Sequence, residues 1–156
     1  MSLWGGRFAT GPNESVAKLS RSVHFDWRLA PYDIRVNIAH VAGLQRAGVI
    51  KKDDAEQITT ALHELAQEVA SGSFSFIESD EDVHSAIERG LVSKLGELGG
   101  ALRAGRSRND LVVTDFKLYL IDHLLEVADE TLELAKTLDE AAKNQMGLVA
   151  PGFTHL

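Results

Sequence analysis

The chain contains no cysteine, which excludes a disulfide framework, a thiolate metal site and a cysteine nucleophile. Proline is scarce, with three in 156 residues. No apolar run approaches the ~20 residues needed to cross a bilayer, and the start Met-Ser-Leu-Trp-Gly-Gly-Arg lacks the apolar core of a signal peptide. Positive charge is in deficit: 16 Lys+Arg stand against 23 Asp+Glu, a formal charge of −7, which argues against a general nucleic-acid binder. What remains is an ordinary globular composition, 44% hydrophobic and 25% charged, with enough apolar surface to offset ordering entropy. A soluble, cytoplasmic, globular protein without membrane segments is the expectation.

Periodicity predicts an all-α fold. Residues 1–14 read as a loop broken by Gly5, Gly6, Gly11 and Pro12, with Trp4 and Phe8 expected to lie across a surface. A helix is predicted from about Glu14 to Ser22. A second runs from Pro31, suited to a first helical position, to a stop at Gly48, with Ile34, Ile38, Val41, Ala42 and Leu44 near helical spacing. A third starts beside Asp53 and Asp54, which favour a helix N-terminus, and ends at Ser71-Gly72. Its apolar stripe is Ala55, Ile58, Leu62, Leu65, Ala66 and Val69. Ser79-Asp80-Glu81-Asp82 reads as a cap for a fourth helix carrying Val83, Ile87, Leu91, Val92 and Leu95. Gly96, Gly99, Gly100 and Gly105 mark a loop-rich zone, and Phe74 to Ile77 is the only short strand candidate.

From Asp110 to Met146 there is neither Gly nor Pro, and Val113, Leu120, Val127, Leu134 and Ala141 repeat every seven residues. A helix of ~37 residues is ~55 Å long at 1.5 Å per residue. A compact chain of this size is roughly 40 Å across. Such a helix should outrun its own domain and belong to a bundle completed by other subunits or by further chain.

Three segments could carry chemistry. Gly105-Arg106-Ser107-Arg108-Asn109-Asp110 joins a glycine, two arginines and a helix start, the ingredients of a carboxylate or phosphate site. Asn109 or Asp110 could equally be a plain N-cap. In Asp80-Glu81-Asp82-Val83-His84, His84 and Glu88 share a helix face, but two ligands are too few for a metal and no His-x-x-x-His pair exists. Solvated acidic residues capping a helix are the reading favoured by spacing alone. Finally, Thr154-His155 follows Pro151-Gly152-Phe153 on a loop, where a histidine can exchange protons or serve structure.

Together these segments resemble the argininosuccinate lyase family. Leu3-Trp4-Gly5-Gly6-Arg7-Phe8 is similar to its N-terminal signature, Asp80 to His84 to its acidic segment, and Gly105 to Asp110 to its most specific motif. Pro151 to Leu156 is similar to the block around its Thr-His pair. The resemblance implies a fumarase/aspartase-like, all-α, homotetrameric lyase of arginine biosynthesis, without cofactor or metal, that cleaves argininosuccinate to arginine and fumarate. It implies substrate binding by Ser22, Arg108, Asn109 and Thr154, and an acid/base role for His155.

It also implies an N-terminal helical domain over 1–109 and, over 110–156, the first long helix and Thr-His loop of an incomplete central domain. The family's Gly-Ser-Ser catalytic loop has no counterpart in these residues, so the chain is expected to be the leading third of a longer lyase, inactive alone. Departures from the family pattern are Ala101-Leu102-Arg103-Ala104 before the motif, and Leu111 in place of a glutamine; Arg103 could supply a cation for an absent histidine. The alternatives are another superfamily lyase (adenylosuccinate lyase, fumarase or aspartase) or a non-enzymatic module like the lens δ-crystallins.

Overall fold

A computed structural model describes residues 13–155. The signature around Trp4 and Phe8, and Leu156, lie outside the described residues. Among those described there are only helices, turns and loops, so the all-α expectation holds. Two compact units divide the chain, one ending at Leu118 and the other beginning at Tyr119.

In the first unit, α1 (Glu14–Ser20) is capped by Asn13, whose Oδ1 accepts from Ser15 N at 2.9 Å. It stops two residues before the predicted end. The next segment forms its own short helix α2 (Val23–Asp26) and a 3₁₀ turn, Trp27–Leu29, leading into α3 (Ala30–Arg46). The sequence reading missed α2 because a four-residue helix is too short for a periodic signal. Pro31 sits in the first turn of α3 as predicted. Past its end, Gly48 adopts φ 71°, where a side chain would be strained, and its N–H bonds Gln45 O at 3.0 Å.

The predicted stripes then meet. α4 (Lys52–Ser71) presents Ile58, Leu62 and Leu65, and α5 (Val83–Leu95) presents Val83, Ile87 and Leu91. All six are fully buried, with Ile34 and Val41 of α3 packed among them. Each such side chain contributes about 1.5–3 kcal/mol when taken out of water. The strand candidate Phe74 to Ile77 forms no strand; its aromatics are used for packing instead. Phe74 lies 6.2 Å and Phe76 5.6 Å from the Trp27 ring, and the Phe74 ring edge fills the space a Cβ on Gly90 would need.

The glycine zone is also a correction. Gly96–Arg103 is a 3₁₀ helix, not a loop, folded back so that a Cβ on Gly99 would stand 2.8 Å from the Leu91 backbone. Gly99 serves close approach, which a reading of it as a chain breaker does not anticipate.

α6 (Arg108–Asn144) has 37 residues, matching the predicted long helix to within two residues at each end. On its first-unit turns, Leu111 and Asp115 are buried, while Val113 and Phe116 are about half exposed. In the second unit the apolar positions Leu124, Val127, Leu134 and Leu138 are all exposed. No helix among the described residues is long and apolar enough to cross a membrane.

Candidate functional site

The Arg-rich motif sits where α3, α5 and α6 converge. α6 is capped by Ser107: its Oγ accepts from Asn109 N at 3.1 Å, and Asp110 Oδ2 accepts from Ser107 N at 2.9 Å. This reciprocal cap decides the ambiguity left by the sequence. Asp110 is part of the cap. Asn109 lends only its backbone, and its exposed side-chain amide has no partner among the described residues. Asn109 therefore presents an uncommitted amide at a helix N-terminus, where unpaired N–H groups favour anions.

Arg108 is fixed by charge. One guanidinium nitrogen donates to Asp82 Oδ2, while the other oxygen of Asp82 accepts from Ser85 N at 2.7 Å as the N-cap of α5. The predicted acidic cap is thus real but only partly solvated. Asp80 is buried, 2.9 Å from Arg89 Nη2, and braces the loop before α5. Arg108 remains one-third exposed, with donors left for a ligand carboxylate.

Ser22 joins the same neighbourhood from the other side. Its Oγ donates to Asp26 Oδ2 at 2.6 Å, its N–H to Glu81 O at 2.8 Å, and Asp26 Oδ1 accepts from Val83 N at 3.0 Å. Burial raises the Asp26 carboxyl above its ordinary value, and the charge of Asp82 adds to the effect. The Ser22 and Val83 hydrogen bonds and the His84 charge oppose it. The Ser22–Asp26 pair, through Val83 N, and the Asp82–Arg108 pair both meet the N-terminus of α5.

A second cluster was not foreseen. Asp33, His84 and Asp115 are all buried, with donor atoms within 4.8 Å of one another. His84 Nδ1 hydrogen-bonds Asp33 Oδ2 and lies 3.7 Å from Asp115 Oδ2. Neither Asp115 oxygen has a hydrogen-bond partner in the described arrangement. Burial, reinforced by the Asp33 charge, pushes the Asp115 carboxyl up to about 8, against the pull of His84 and Arg106. For His84 burial opposes the charged ring, but the hydrogen bond and charge of Asp33, with Asp82 and Asp115, raise it overall. Such a donor set could hold a divalent ion. The pair already has an imidazole and, through Arg106, a guanidinium close enough to act on both carboxyls.

The cluster flanks a cleft of about 210 Å³ lined by Asn37, His84, Glu88, Arg106, Arg108 and Leu111 among others. Glu88, read beside His84 as a possible co-ligand, instead pairs with Arg103 at 2.6 Å, and Leu111 is buried in the wall. A polar residue within an otherwise apolar stripe was the available signal: Asp33 precedes Ile34 in α3, and Asp115 lies one turn beyond Leu111.

In the second unit, Thr154 and His155 are exposed on the segment after Gly147, and His155 has φ 62°, a left-handed conformation uncommon for a side-chain-bearing residue. Of the five residues singled out, the first unit gathers Ser22, Arg108 and Asn109, and the second carries Thr154 and His155.

The described residues form helices with this motif at the head of α6, and residues 6–156 match a family described as Lyase. The chain belongs to that lyase family. Among its relatives are the argininosuccinate lyases of Frankia casuarinae (53% identical over 156 residues, 100% of this chain and 34% of the relative) and Acidothermus cellulolyticus (51% over 154 residues, 99% and 32%). That of Streptomyces coelicolor is 52% identical over 155 residues, 99% of this chain and 33% of the relative. The chain spans about a third of the length of the curated relatives it matches.

Proposed function

We propose that this chain is the leading portion of an argininosuccinate lyase of arginine biosynthesis, a cytoplasmic homotetramer when complete. The observation that carries this reading is identity of about half along the whole chain to proteins of that name. The geometry at the head of α6 supports it. Residues 110–156 then form the first bundle helix and Thr-His loop of a central domain.

The reaction is an anti β-elimination: a base takes a proton from the carbon beside a carboxylate, the C–N bond breaks, and the guanidino nitrogen leaves with a proton as arginine. The electron pair collects transiently on the neighbouring carboxylate, so fixed donors aimed there lower the barrier. Arg108, with donors beyond its Asp82 contact, and the uncommitted amide of Asn109 are suited to that carboxylate. Ser22 and Thr154 add hydroxyl donors to the substrate, and His155 serves the proton relay. The exposed apolar positions of α6 suit packing into the tetrameric bundle.

Fumarate release from argininosuccinate tests the reading in the lyase completed to the length of its relatives. Asn109→Ala is expected to lower kcat/KM by about a hundredfold or more, the cost of losing one oriented donor. An unchanged kcat/KM would remove Asn109 from the site, and failure of the completed protein to cleave argininosuccinate would overturn the reading.

A further inference from the structure

The polar face of α3 is turned against the segment that leads into α6. Asp33, Asn37 and His40 stand at i, i+4 and i+7, one face of the helix. Asn37 Nδ2 donates to Asp33 Oδ1, and Asn37 Oδ1 accepts from Arg106 Nη2. His40 Nε2 lies 2.9 Å from Ala104 O. The remaining oxygen of Asp33 takes the His84 ring nitrogen that also faces Asp115 of α6. Asp33 thus reaches the segment at two places: Arg106 just before the helix, through the hydrogen bonds of Asn37, and Asp115 two turns inside it, which the His84 ring held by Asp33 approaches to 3.7 Å without a hydrogen bond. Arg108 and Asn109 lie between these two places.

Burying such a face has a cost. Each group left unsatisfied would be a net penalty, and apolar residues of similar volume would pack as well or better. Stability alone therefore does not account for a fully buried carboxylate at Asp33, whereas orientation of the motif does. We propose that Asp33 is a positioning residue, which through Asn37 and His84 fixes the backbone from Arg106 to Asp115 so that Arg108 and Asn109 face a ligand carboxylate. The ligand class rests on the lyase reading above; the anchoring does not.

Two arms test it. In the completed lyase, Asp33→Asn is compared with Ile58→Val, an apolar core change of α4 outside this hydrogen-bond network. At a temperature where both are folded, Asp33→Asn is expected to lower kcat/KM for argininosuccinate at least tenfold, by way of kcat, and Ile58→Val less than twofold. A value for Asp33→Asn within twofold of the parent overturns the proposal. In the 156-residue chain itself, amide exchange by NMR reads the anchor without substrate. Asp33→Asn is expected to speed exchange at Ser107, Asn109 and the first bonded turns of α6 at least tenfold relative to α4, and to shift the His84 ring signals.

Unchanged relative protection there overturns the anchoring whatever the enzyme does. A parent lyase that fails to turn over argininosuccinate, with the exchange result as expected, overturns the ligand class alone. Should Asp33→Asn not fold, Asn37→Leu, which cuts the Arg106 grip at similar volume, is judged by the same criteria.

Discussion

At the residue scale, the proton on Asp115 is the sharpest electrostatic consequence of the fold. An aspartate in the unfolded chain loses its proton near its ordinary value of 3.8, but folded Asp115 keeps it to about 8. Between those limits the folded chain binds more protons than the unfolded one, so stability falls as pH rises across the interval. His84 is raised as well and acts in the same direction, its contribution present below its ordinary value of 6.5 and lost as pH climbs through the folded one. Thermal unfolding at pH 6 and pH 8.5 is expected to show the lower Tm at the higher pH, by about 5 °C, a change of roughly 1–2 kcal/mol for a chain of this size. Asp115→Asn keeps the shape and the neutral form, so it is expected to flatten that dependence and raise Tm at the alkaline end. An unchanged slope in the variant would show that Asp115 is already ionised in the folded chain at pH 6. Neither Asp115 nor its partner Asp33 was singled out in the sequence, because an acid within an apolar stripe is a weak signal until packing brings a second element over it.

At the scale of elements, helix ends and close approaches carry the site. Asp82 caps α5 with one oxygen and seats Arg108 with the other, so Asp82→Ala removes two functions at once. The expected loss is about 1–2 kcal/mol of stability. A Tm unchanged within about a degree would show that the cap is redundant. The glycines separate in the same way. A Cβ at Gly99 would meet the Leu91 backbone at 2.8 Å, whereas at Gly90 the nearest atoms are tips of the Phe74 and Leu65 side chains. Gly99→Ala is therefore expected to destabilise more than Gly90→Ala in denaturant melts, with the former costing about 2–3 kcal/mol as an overpacked contact.

The long helices were legible in the sequence because α3, α4, α5 and α6 each sustain an apolar period over three or more turns. The segments between them were not. The 3₁₀ helix Gly96–Arg103 and the α2 turn owe their shape to tertiary contacts, and Gly99, which looks like a breaker, is there to let backbones touch.

At the scale of the whole molecule, the exposed leucines and valines of α6 are the feature one chain leaves unresolved. Phe116, Leu124, Val127, Leu134 and Leu138 are each more than half exposed. The isolated chain is expected to self-associate in light scattering, and a strict monomer at high concentration would contradict a bundle role for this helix. The candidate site divided similarly between what sequence could and could not supply. The Arg108-Asn109 motif and the Thr154-His155 pair were recognisable as patterns, since each is contiguous. The network of Asp26, Asp33, Asp82, His84 and Asp115 is assembled from four helices or their caps, and only folding brings it together.

The proposal that this chain carries part of an argininosuccinate lyase site but not a whole one is tested most directly by fumarate release, measured on the isolated 156-residue chain and on the lyase completed to the length of its relatives. The expected result is no turnover of argininosuccinate by the chain alone and turnover by the completed protein, with none of adenylosuccinate, malate or aspartate. Cleavage by the isolated chain at the completed protein's rate, or preference of the completed protein for another substrate, would contradict it.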